Sequence, residues 1–452
     1  MNPDIFREYD IRGIAGKDIN GDEVFLIGKG IGTYLQNHNC RKLTVGRDCR
    51  TTSDDYAGQI IKGLMATGCD VLDLGVCPTP VFYFSIRHFD RQGGVMITAS
   101  HNPKEYNGFK VCQGLDSVYG EELQNIRRLI EGGIFAQGEG ACETGEIITP
   151  YKAFVKGNIR LSRPLRIGVD AGNGTAGVVA VPVLRDLGCE VHDLFCEMDG
   201  TFPNHEADPT VLKNMKDLIA LVKEKKLDVG IGFDGDGDRI GIIDEKGDIV
   251  FGDRLMIIFS REILSRKPGS VFISEVKCSQ TLYDDIEKHG GKPIMWRTGH
   301  SLIKKKMKEE KAELAGEMSG HMFFADRYFG FDDATYAACR LLEILADTGK
   351  TVSALLADVP VTFNTPEIRV DCPDNIKFKV VEQITEHFKK DYKVIDIDGA
   401  RVLFGDGWGL VRASNTQPAL VLRFEALSRE RLDIIRNTVE STLTEIREKA
   451  ES

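Results

Sequence analysis

Three aspartates alternate with glycine in residues 234–239 (DGDGDR), and no other segment points so directly to a chemistry. Carboxylates this close repel one another unless a cation lies among them, and the glycines let Asp234, Asp236 and Asp238 converge on one. Such hard oxygen ligands favour Mg²⁺ or Ca²⁺. The alternative is a solvated, charged surface loop, which does not need the interleaved glycines.

An EF-hand calcium loop is the competing interpretation of this segment. Asp234, Asp236 and Asp238 match its first three ligand positions, and Glu245 falls at its twelfth. Its sixth position requires glycine, however, and here it is Arg239. The flanking segments are apolar runs typical of strands, whereas an EF-hand loop lies between helices. The sequence therefore favours a Mg²⁺ site whose remaining positions are open to substrate oxygens, as in phosphoryl transfer.

Three further loops combine small residues with groups suited to phosphate or sugar chemistry. Residues 98–103 (TASHNP) place the Ser100 hydroxyl, with His101 beside it, where it could act as a nucleophile or phosphate carrier. Residues 316–321 (GEMSGH) offer a carboxylate, a hydroxyl and an imidazole to sugar hydroxyls. Residues 412–418 (RASNTQP) suit a phosphate cradle. Each loop alone is equally compatible with an ordinary polar turn.

The pattern around these loops predicts the elements that position them. Three short apolar runs, at residues 43–48, 166–171 and 270–275, are each followed by a helical pattern. In each unit a second apolar run then ends in an unusual loop. These second runs are residues 95–100, 229–234 and 312–317. Continuous apolar runs alternating with amphipathic helices predict mainly parallel α/β units. We therefore expect three related α/β domains, each contributing one loop.

The pattern of apolar and polar residues changes after about residue 360. Apolar and polar residues alternate in segments 367–371, 392–396 and 420–425, and helical patterns cover residues 376–388 and 429–449. This predicts a smaller α+β domain with one covered sheet face. The expected fold is thus three related mixed-sheet α/β domains and a C-terminal α+β domain around a central cleft. The expected boundaries are 1–147 (phosphoserine loop), 148–250 (metal binding), 251–362 (sugar recognition) and 363–452 (phosphate binding).

Composition limits the possible functions. A chain of 452 residues exceeds the size at which one core keeps growing, so several domains are expected. A net charge of −11 argues against general nucleic-acid binding. The 11 cysteines form no C-x-x-C pair, which indicates thiols in a reducing compartment. We find no signal peptide and no apolar run long enough for a membrane span. A cytoplasmic protein, monomeric or dimeric, is the expectation.

Taken together and in this order, the four loops resemble those of the α-D-phosphohexomutase family, most closely its bacterial phosphomannomutase/phosphoglucomutase branch. The resemblance covers essentially the whole chain, including residues 6–13 (FREYDIRG). It implies reversible transfer of phosphate between the 1- and 6-positions of a hexose, namely mannose or glucose phosphate. It also implies a phosphoserine, Mg²⁺ and a hexose 1,6-bisphosphate intermediate that also acts as an activator.

The same resemblance implies roles for individual residues. Ser100 matches the serine that carries phosphate and, with Asp234, Asp236 and Asp238, holds Mg²⁺. The implied catalytic residues are Lys110 and His300, as candidate acid and base, and Arg239, near the transferred phosphate. The implied substrate-binding residues are Tyr9, Arg12, Lys277, Glu317, Ser319, Arg412, Ser414, Asn415 and Thr416.

Three positions bear on the alternatives to this interpretation. Glu275 and Ser279 flank Lys277 where the family pattern has Asp and Thr, which leaves the activity class untouched. Met318 argues against the glucosamine phosphate mutases, which typically have Gln or Ser between the corresponding Glu and Ser. A non-catalytic sugar-phosphate binding protein is the remaining alternative, although such a protein would have no need of the serine and the acid/base residues.

Overall fold

The computed structural model describes residues 1–415 and 417–451, and this part of the chain forms four β-sheets. The first sheet has seven strands in the order β1-β5-β4-β2-β3-β7, with β6 paired to β5. Its strands are β1 (Ile11–Ile14), β2 (Lys42–Arg47), β3 (Asp70–Val76), β4 (Gly93–Ile97), β5 (Tyr106–Gln113), β6 (Asp116–Ser117) and β7 (Cys142–Thr144). Its helices are α1 (Gly21–Asn37), α2 (Ser53–Ala66), α3 (Thr79–His88) and α4 (Glu121–Glu131).

The second sheet has five strands in the order β12-β11-β10-β8-β9. This unit comprises α5 (Ile148–Asn158), β8 (Arg166–Asp170), α6 (Gly177–Asp186), β9 (Glu190–Leu194), α7 (Lys216–Lys225), β10 (Val229–Phe233), β11 (Ile240–Ile243) and β12 (Ile249–Val250). Short 3₁₀ helices cover Pro3–Ile5 in the first unit and Leu212–Met215 in the second.

The third sheet has four strands in the order β14-β13-β15-β16. This unit comprises α8 (Gly252–Arg266), β13 (Val271–Glu275), α9 (Gln280–Lys288), β14 (Lys292–Trp296), α10 (His300–Glu310), β15 (Leu314–Gly316), β16 (Met322–Phe324), α11 (Ala334–Thr348) and α12 (Val352–Leu355).

The first three sheets share one four-strand arrangement. The orders β3-β2-β4-β5, β9-β8-β10-β11 and β14-β13-β15-β16 correspond position by position. In each order, the second strand is parallel to the first and the third, and the third pairs antiparallel with the fourth. The loops predicted to carry chemistry are the three connections from β4 to β5, β10 to β11 and β15 to β16. The repeated topology therefore puts each loop at the same place in its own unit.

The fourth sheet is antiparallel, in the order β17-β22-β21-β20-β19 with β18 also paired to β22. Its elements are β17 (Phe363–Asn364), β18 (Ile368–Asp371), α13 (Asp374–Phe388), β19 (Lys393–Ile395), β20 (Ala400–Leu403), β21 (Gly407–Ala413), β22 (Ala419–Ala426) and α14 (Arg429–Glu451). Both helices pack on one face of the sheet, as the sequence predicts for an α+β unit.

Two cores explain how the units are held together. One continuous apolar cluster runs from Leu72 in the first unit to Val359 at the end of the third. The fourth unit has its own core and contacts the third through Val276, Trp408 and Leu410. The smaller contact leaves the fourth unit more independent than the others.

The expected fold of three related mixed-sheet α/β domains and a C-terminal α+β domain is confirmed. The sequence pattern predicts neither β17 nor β20. The boundaries expected after residues 147, 250 and 362 stay a prediction. Among the residues that the structure describes, no helix combines the length and apolar character needed to cross a bilayer.

Candidate active site

The β4–β5 loop holds Ser100 in a strained but well-fixed position. Ser100 is buried and has φ of 50°, in the left-handed region that non-glycine residues seldom adopt. Its N–H donates to Thr98 Oγ1 (2.9 Å), and its carbonyl accepts from Arg50 Nη2 (2.9 Å). Its hydroxyl donates to Asp234 Oδ2 (2.7 Å) and lies 3.1 Å from His101 Nδ1. The serine oxygen is therefore held directly against the aspartate loop.

The aspartate loop folds around its own first carboxylate. Asp234 Oδ1 accepts the backbone N–H groups of Gly237 (3.0 Å), Asp238 (3.1 Å) and Arg239 (3.1 Å). All three aspartates are buried, with carboxylate oxygens within 4.8 Å of one another. Burial, followed by repulsion from Asp238 and Asp236, raises the pKa of Asp234 well above its usual range. Burial and close packing of the three carboxylates therefore disfavour the ionised form of Asp234.

Glycines allow the β4–β5, β10–β11 and β15–β16 loops to touch. A Cβ on Gly235 would lie 2.5 Å from the carbonyl oxygen of Ser100. On the other side, a Cβ on Gly320 would lie 2.2 Å from the carbonyl oxygen of Ile240, and Ile240 N–H donates to the Gly320 carbonyl (3.1 Å). The β10–β11 loop thus lies between the other two, in backbone contact with both.

Lys110, on β5, points into the same cluster. Its Nζ donates to Asp236 Oδ2 (2.8 Å) and Asp238 Oδ2 (2.5 Å). Thr79 and Thr98 hydroxyls donate to the same Asp236 oxygen, at 2.6 and 3.2 Å. Burial lowers the pKa of Lys110, but attraction to the two carboxylates outweighs it, so the pKa is raised. The structure therefore places a charged ammonium group beside the aspartates.

The β15–β16 loop contributes a charge network centred on His321. Its Nδ1 lies 2.5 Å from Glu317 Oε2, and its Nε2 lies 3.2 Å from both Asp238 Oδ1 and Arg239 Nε. Burial lowers the pKa of His321, but Asp238 and Glu317 together outweigh burial and raise it to about 9. Burial raises the pKa of Glu317, but His321, Lys277 and the Gly299 N–H together outweigh burial and bring it to about 2. Glu317 and His321 are therefore an ion pair.

His300 begins helix α10 at the edge of this network. The preceding residue, Gly299, donates its N–H to Glu317 Oε1 (2.8 Å). The ring of His300 lies 5.7 Å from that of His321 and 6.0 Å from that of Tyr9, between centroids. Burial, followed by repulsion from two nearby lysines, lowers the pKa of His300 well below its usual range. This imidazole is neutral, whereas that of His321 is charged.

The cleft entrance joins the first unit to the third and fourth. Tyr9 donates its hydroxyl hydrogen to the Thr298 carbonyl (2.8 Å) and accepts from Asn415 Nδ2 (2.7 Å). Arg12 donates to Asn102 Oδ1 (2.8 Å), which follows the serine loop. The predicted loop of the fourth unit therefore reaches the cleft, although it lies far along the chain from Ser100.

Two cations predicted to bind substrate are paired with carboxylates of the fourth unit. Lys277 Nζ donates to Glu367 Oε2 (3.2 Å), and Arg412 Nε donates to Asp398 Oδ2 (3.0 Å). The same Asp398 oxygen accepts from the Thr298 N–H (3.0 Å). Both cations are buried, so the carboxylates compensate charges that lie away from bulk water.

Ser319 lies in the β15–β16 loop and Ser414 in the β21–β22 loop. Ser319 is half-buried near the tip of the β15–β16 connection. Ser414 Oγ accepts from the Gln417 N–H (3.2 Å), and its carbonyl accepts from Lys377 Nζ (2.6 Å). The prediction for Thr416 lies outside the described residues.

The two departures from the family pattern have structural roles. Glu275 is buried and accepts from Lys277 N–H (2.7 Å), Met318 N–H (3.3 Å) and Thr298 Oγ1 (3.1 Å). It thus joins the lysine loop to the loop predicted to select the sugar. Ser279 caps the N-terminus of α9 through its side chain.

Four family models match the chain in sequence order. They are phosphoglucomutase/phosphomannomutase α/β/α domain I (residues 3–137), domain II (149–247), domain III (251–363) and the C-terminal domain (367–441). The chain belongs to the phosphoglucomutase/phosphomannomutase family.

Full-length relatives agree with this assignment. The chain is 45% identical over 443 residues to a phosphomannomutase/phosphoglucomutase of Pseudomonas putida, covering 98% of this chain and 96% of the relative. It is 41% identical to a phosphoglucomutase of Neisseria gonorrhoeae, covering 97% and 96%. A solved structure of a phosphoglucomutase/phosphomannomutase family protein from Burkholderia thailandensis superposes with a TM-score of 0.93 at 41% identity, covering 98% and 97%. The resemblance inferred from the four loops is confirmed.

The aspartate cluster of this phosphohexomutase fits a divalent cation. Asp236 Oδ1 is buried and has no hydrogen-bond partner among the described residues. With Asp234 and Asp238 it offers hard oxygen ligands only, the set that Mg²⁺ prefers. A cation there would relieve the repulsion that raises the pKa of Asp234. The residues present therefore fit a metal, with the Ser100 oxygen beside it.

Four polar residues of the cleft are absent from the site that the sequence predicts: His321, Glu367, Asp398 and Asp332. His321 is part of residues 316–321, and its position four residues after Glu317 was the available signal. Glu367 and Asp398, which pair with the substrate-binding cations, have no local pattern that distinguishes them from surface acids. Asp332, which faces His300 at 4.0 Å, gives no such signal either.

Replacing Gly235 by Ala should separate the serine and aspartate loops. The new Cβ meets a backbone oxygen that cannot rotate away, so we expect a loss of about 1–3 kcal/mol in stability and weaker binding of Mg²⁺. Thermal unfolding and calorimetric Mg²⁺ titration would measure both. Gly58→Ala is the control, since a Cβ there meets no atom within 4 Å in helix α2. It should leave the metal titration unchanged and preserve or raise stability; equal behaviour of the two variants would contradict this account.

Asp236→Asn removes one charge from the cluster with little change in size. We expect Mg²⁺ affinity to fall by no less than the roughly 10- to 100-fold that outer-shell changes cost, with the fold retained. Calorimetric titration measures the affinity, and circular dichroism checks the fold. Asp248→Asn changes an exposed acid of the same unit and should bind Mg²⁺ like the parent. An unchanged titration for Asp236→Asn would remove this residue from the metal site.

Proposed function

We propose that the chain transfers phosphate reversibly between the 1- and 6-positions of a hexose phosphate, with Ser100 as the phosphate carrier. One observation carries the proposal: the Ser100 hydroxyl lies 2.7 Å from Asp234, inside a buried cluster of three aspartates and Lys110. A polar turn without chemistry has no need to bury so many charges around a serine. Full-length relatives named phosphomannomutase/phosphoglucomutase support the same activity.

The proposed reaction has two half-reactions in one site. A hydroxyl of the bound hexose monophosphate attacks the phosphate on Ser100, giving a hexose 1,6-bisphosphate. The bisphosphate turns over within the cleft and returns its other phosphate to Ser100. The distal phosphate must be gripped equally well in both orientations. Water must also be kept out, because it competes with the sugar hydroxyl for the phosphoserine.

Different residues of the cleft would carry out different parts of this reaction. Asp234, Asp236, Asp238 and the Ser100 oxygen would hold Mg²⁺, which supplies charge compensation for the transferred phosphate when bound. Lys110 and Arg239 add positive charge beside that phosphate. His300 is neutral and placed at the edge of the network, as a group that takes up the proton of the attacking hydroxyl should be.

The sugar and its distal phosphate would lie between the third and fourth domains. Glu317 is ionised and held by His321 and Gly299, so it offers a fixed acceptor to sugar hydroxyls. Arg412, Lys277 and the loop carrying Ser414 and Asn415 would hold the distal phosphate. We propose mannose and glucose phosphates as substrates. Glucosamine phosphate is the alternative, against which Met318 argues at the sequence level.

Ser100→Ala should abolish the phosphorylated form and nearly all mutase activity. Intact-mass measurement of the parent enzyme should show one added phosphate, which disappears in the variant. A coupled assay with glucose 1-phosphate and mannose 1-phosphate measures the activity. Ser265→Ala, which changes an exposed serine on α8, should behave like the parent in both measurements. Full activity of Ser100→Ala would end the phosphoserine mechanism.

Arg412→Ala should weaken the distal grip while leaving Ser100 phosphorylated. A charge-assisted hydrogen bond is worth about 1.5–3 kcal/mol, which corresponds to roughly 10- to 100-fold in kcat/KM. Premature release of the intermediate should follow, so added glucose 1,6-bisphosphate should partly restore turnover. Arg436→Ala removes an exposed arginine of the same domain and is the control. Normal kinetics for Arg412→Ala, without any response to added bisphosphate, would contradict the proposed grip.

A further inference from the structure

His300 faces a buried carboxylate that makes no hydrogen bond within the described part of the chain. Asp332 is fully buried, and neither of its oxygens has a hydrogen-bond partner in residues 1–415 and 417–451. His300 Nδ1 lies 4.0 Å from Asp332 Oδ2 and lacks a partner in the same residues. Lys304 Nζ lies 3.6 Å from Asp332 Oδ1. Burying a polar group without hydrogen bonds costs stability, so this arrangement needs a compensating function.

The neighbouring aspartate already performs the structural task. Asp333 is the N-cap of α11, where its carboxylate accepts the N–H of Tyr336 (2.8 Å). It also accepts from the hydroxyls of Tyr151 (2.8 Å) and Tyr328 (2.6 Å), which join the second unit to the third. Among the described residues, Asp332 caps no helix and accepts no hydroxyl hydrogen. The start of α11 and its contact with the second unit are therefore held by Asp333 and do not need the side chain of Asp332.

Lys304 lies on the same face of α10 as His300, because four residues separate them. Its ammonium group sits over the ring of Tyr83 (4.3 Å to the centroid) and balances the charge of Asp332. Asp332 also has an oxygen within 4.8 Å of ligand atoms of Asp238 and His321. A cation at that trio would be repelled by Lys304, so a second metal site is not indicated.

We propose that Asp332 is a positioning residue that accepts a hydrogen bond from His300 Nδ1–H and thereby keeps Nε2 free to accept a proton. This inference rests on the proposed phosphoryl transfer. A carboxylate accepts only, so it selects the tautomer of a neutral imidazole with the hydrogen on the facing nitrogen. The present 4.0 Å is too long for a direct bond. A side-chain shift of about 1 Å completes it.

The proton transfer balances over the two half-reactions. In the first, the sugar O–H proton moves to His300 Nε2 while that oxygen bonds to the phosphorus on Ser100. The P–Oγ bond breaks, and its electron pair stays on Ser100 Oγ. In the second, Oγ attacks the other phosphate, and His300 Nε2–H returns the proton to the departing sugar oxygen. Asp332 stabilises the imidazolium formed between the two steps, as the acidic partner of a histidine base does.

Measurement of the His300 tautomer tests the proposed hydrogen bond to Asp332 without reference to activity. In the full-length enzyme labelled with ¹⁵N-histidine, we expect the His300 signal, identified by its loss in His300→Gln, to show a protonated Nδ1 and an unprotonated Nε2. Asp332→Asn should shift that signal toward the other tautomer. Asp333→Asn is the matched control and should lower the melting temperature without changing the His300 signal. A parent His300 protonated on Nε2 would overturn the proposal.

Steady-state kinetics test how the proposed hydrogen bond between His300 and Asp332 affects turnover. Asp332→Asn should lower kcat by roughly 10- to 100-fold and change KM for glucose 1-phosphate little, because the substrate does not touch Asp332. Ser100 phosphorylation and the Mg²⁺ titration should match those of the parent. The double variant His300→Gln, Asp332→Asn should be no slower than His300→Gln alone, since both act through one imidazole. Independent, multiplying losses would overturn the proposal, as would a changed Mg²⁺ titration.

The two measurements separate two kinds of failure. If the parent shows the expected tautomer and Asp332→Asn changes it, but no hexose phosphate is turned over, the pairing stands and the proposed activity fails. If mutase activity is present and Asp332→Asn leaves both tautomer and kcat unchanged, the activity stands and Asp332 has no positioning role.

Discussion

The burial of three carboxylates in one short loop is the constraint on which the rest of the site depends. Taking such groups out of water is costly unless each is compensated. The backbone of the loop compensates Asp234, and Lys110 compensates both Asp236 and Asp238. The imidazole of His321 lies between the remaining oxygen of Asp238 and the carboxylate of Glu317, and its positive charge pairs with both. The charge state of the β15–β16 loop thus depends in part on the aspartates of the β10–β11 loop.

The fold meets this constraint by repeating one topology three times. In each α/β domain the reversal from a parallel strand to an antiparallel one makes a short loop, and the three loops meet in the cleft. Such close approach needs positions without side chains. Gly235 and Gly320 supply them on the two sides of the aspartate loop, where any Cβ would collide with a backbone oxygen. Catalytic geometry and domain packing are therefore the same set of contacts.

This explains which features could be predicted from the sequence. The strands before residues 98–103 and 234–239 are continuous apolar runs, and the aspartate–glycine alternation is a local signal with one chemical meaning. Those features lie in adjacent residues, so periodicity and spacing reveal them. The pairing of Lys277 with Glu367 depends on how the fourth domain docks, whereas Arg412 pairs within that domain with Asp398, in the turn between β19 and β20. Asp332 is recognised only by a comparison of its hydrogen bonds with those of Asp333.

These two ion pairs also give the fourth domain an electrostatic role beyond packing. In the chain's net charge of −11, the cleft is a place where buried cations are concentrated. Lys277 pairs with Glu367 and, at 4.0 Å, with Glu275, and Arg412 pairs with Asp398. In the proposed reaction, a phosphate dianion would offer these cations more charge and more acceptor oxygens than Glu367 and Asp398 do. Replacement would free Glu367 and Asp398, and Asp398 also holds the Thr298 N–H beside Tyr9. Binding of a phosphate by Arg412, as proposed, would therefore also change a contact between the third and fourth domains, because Asp398 accepts both from Arg412 and from the Thr298 N–H.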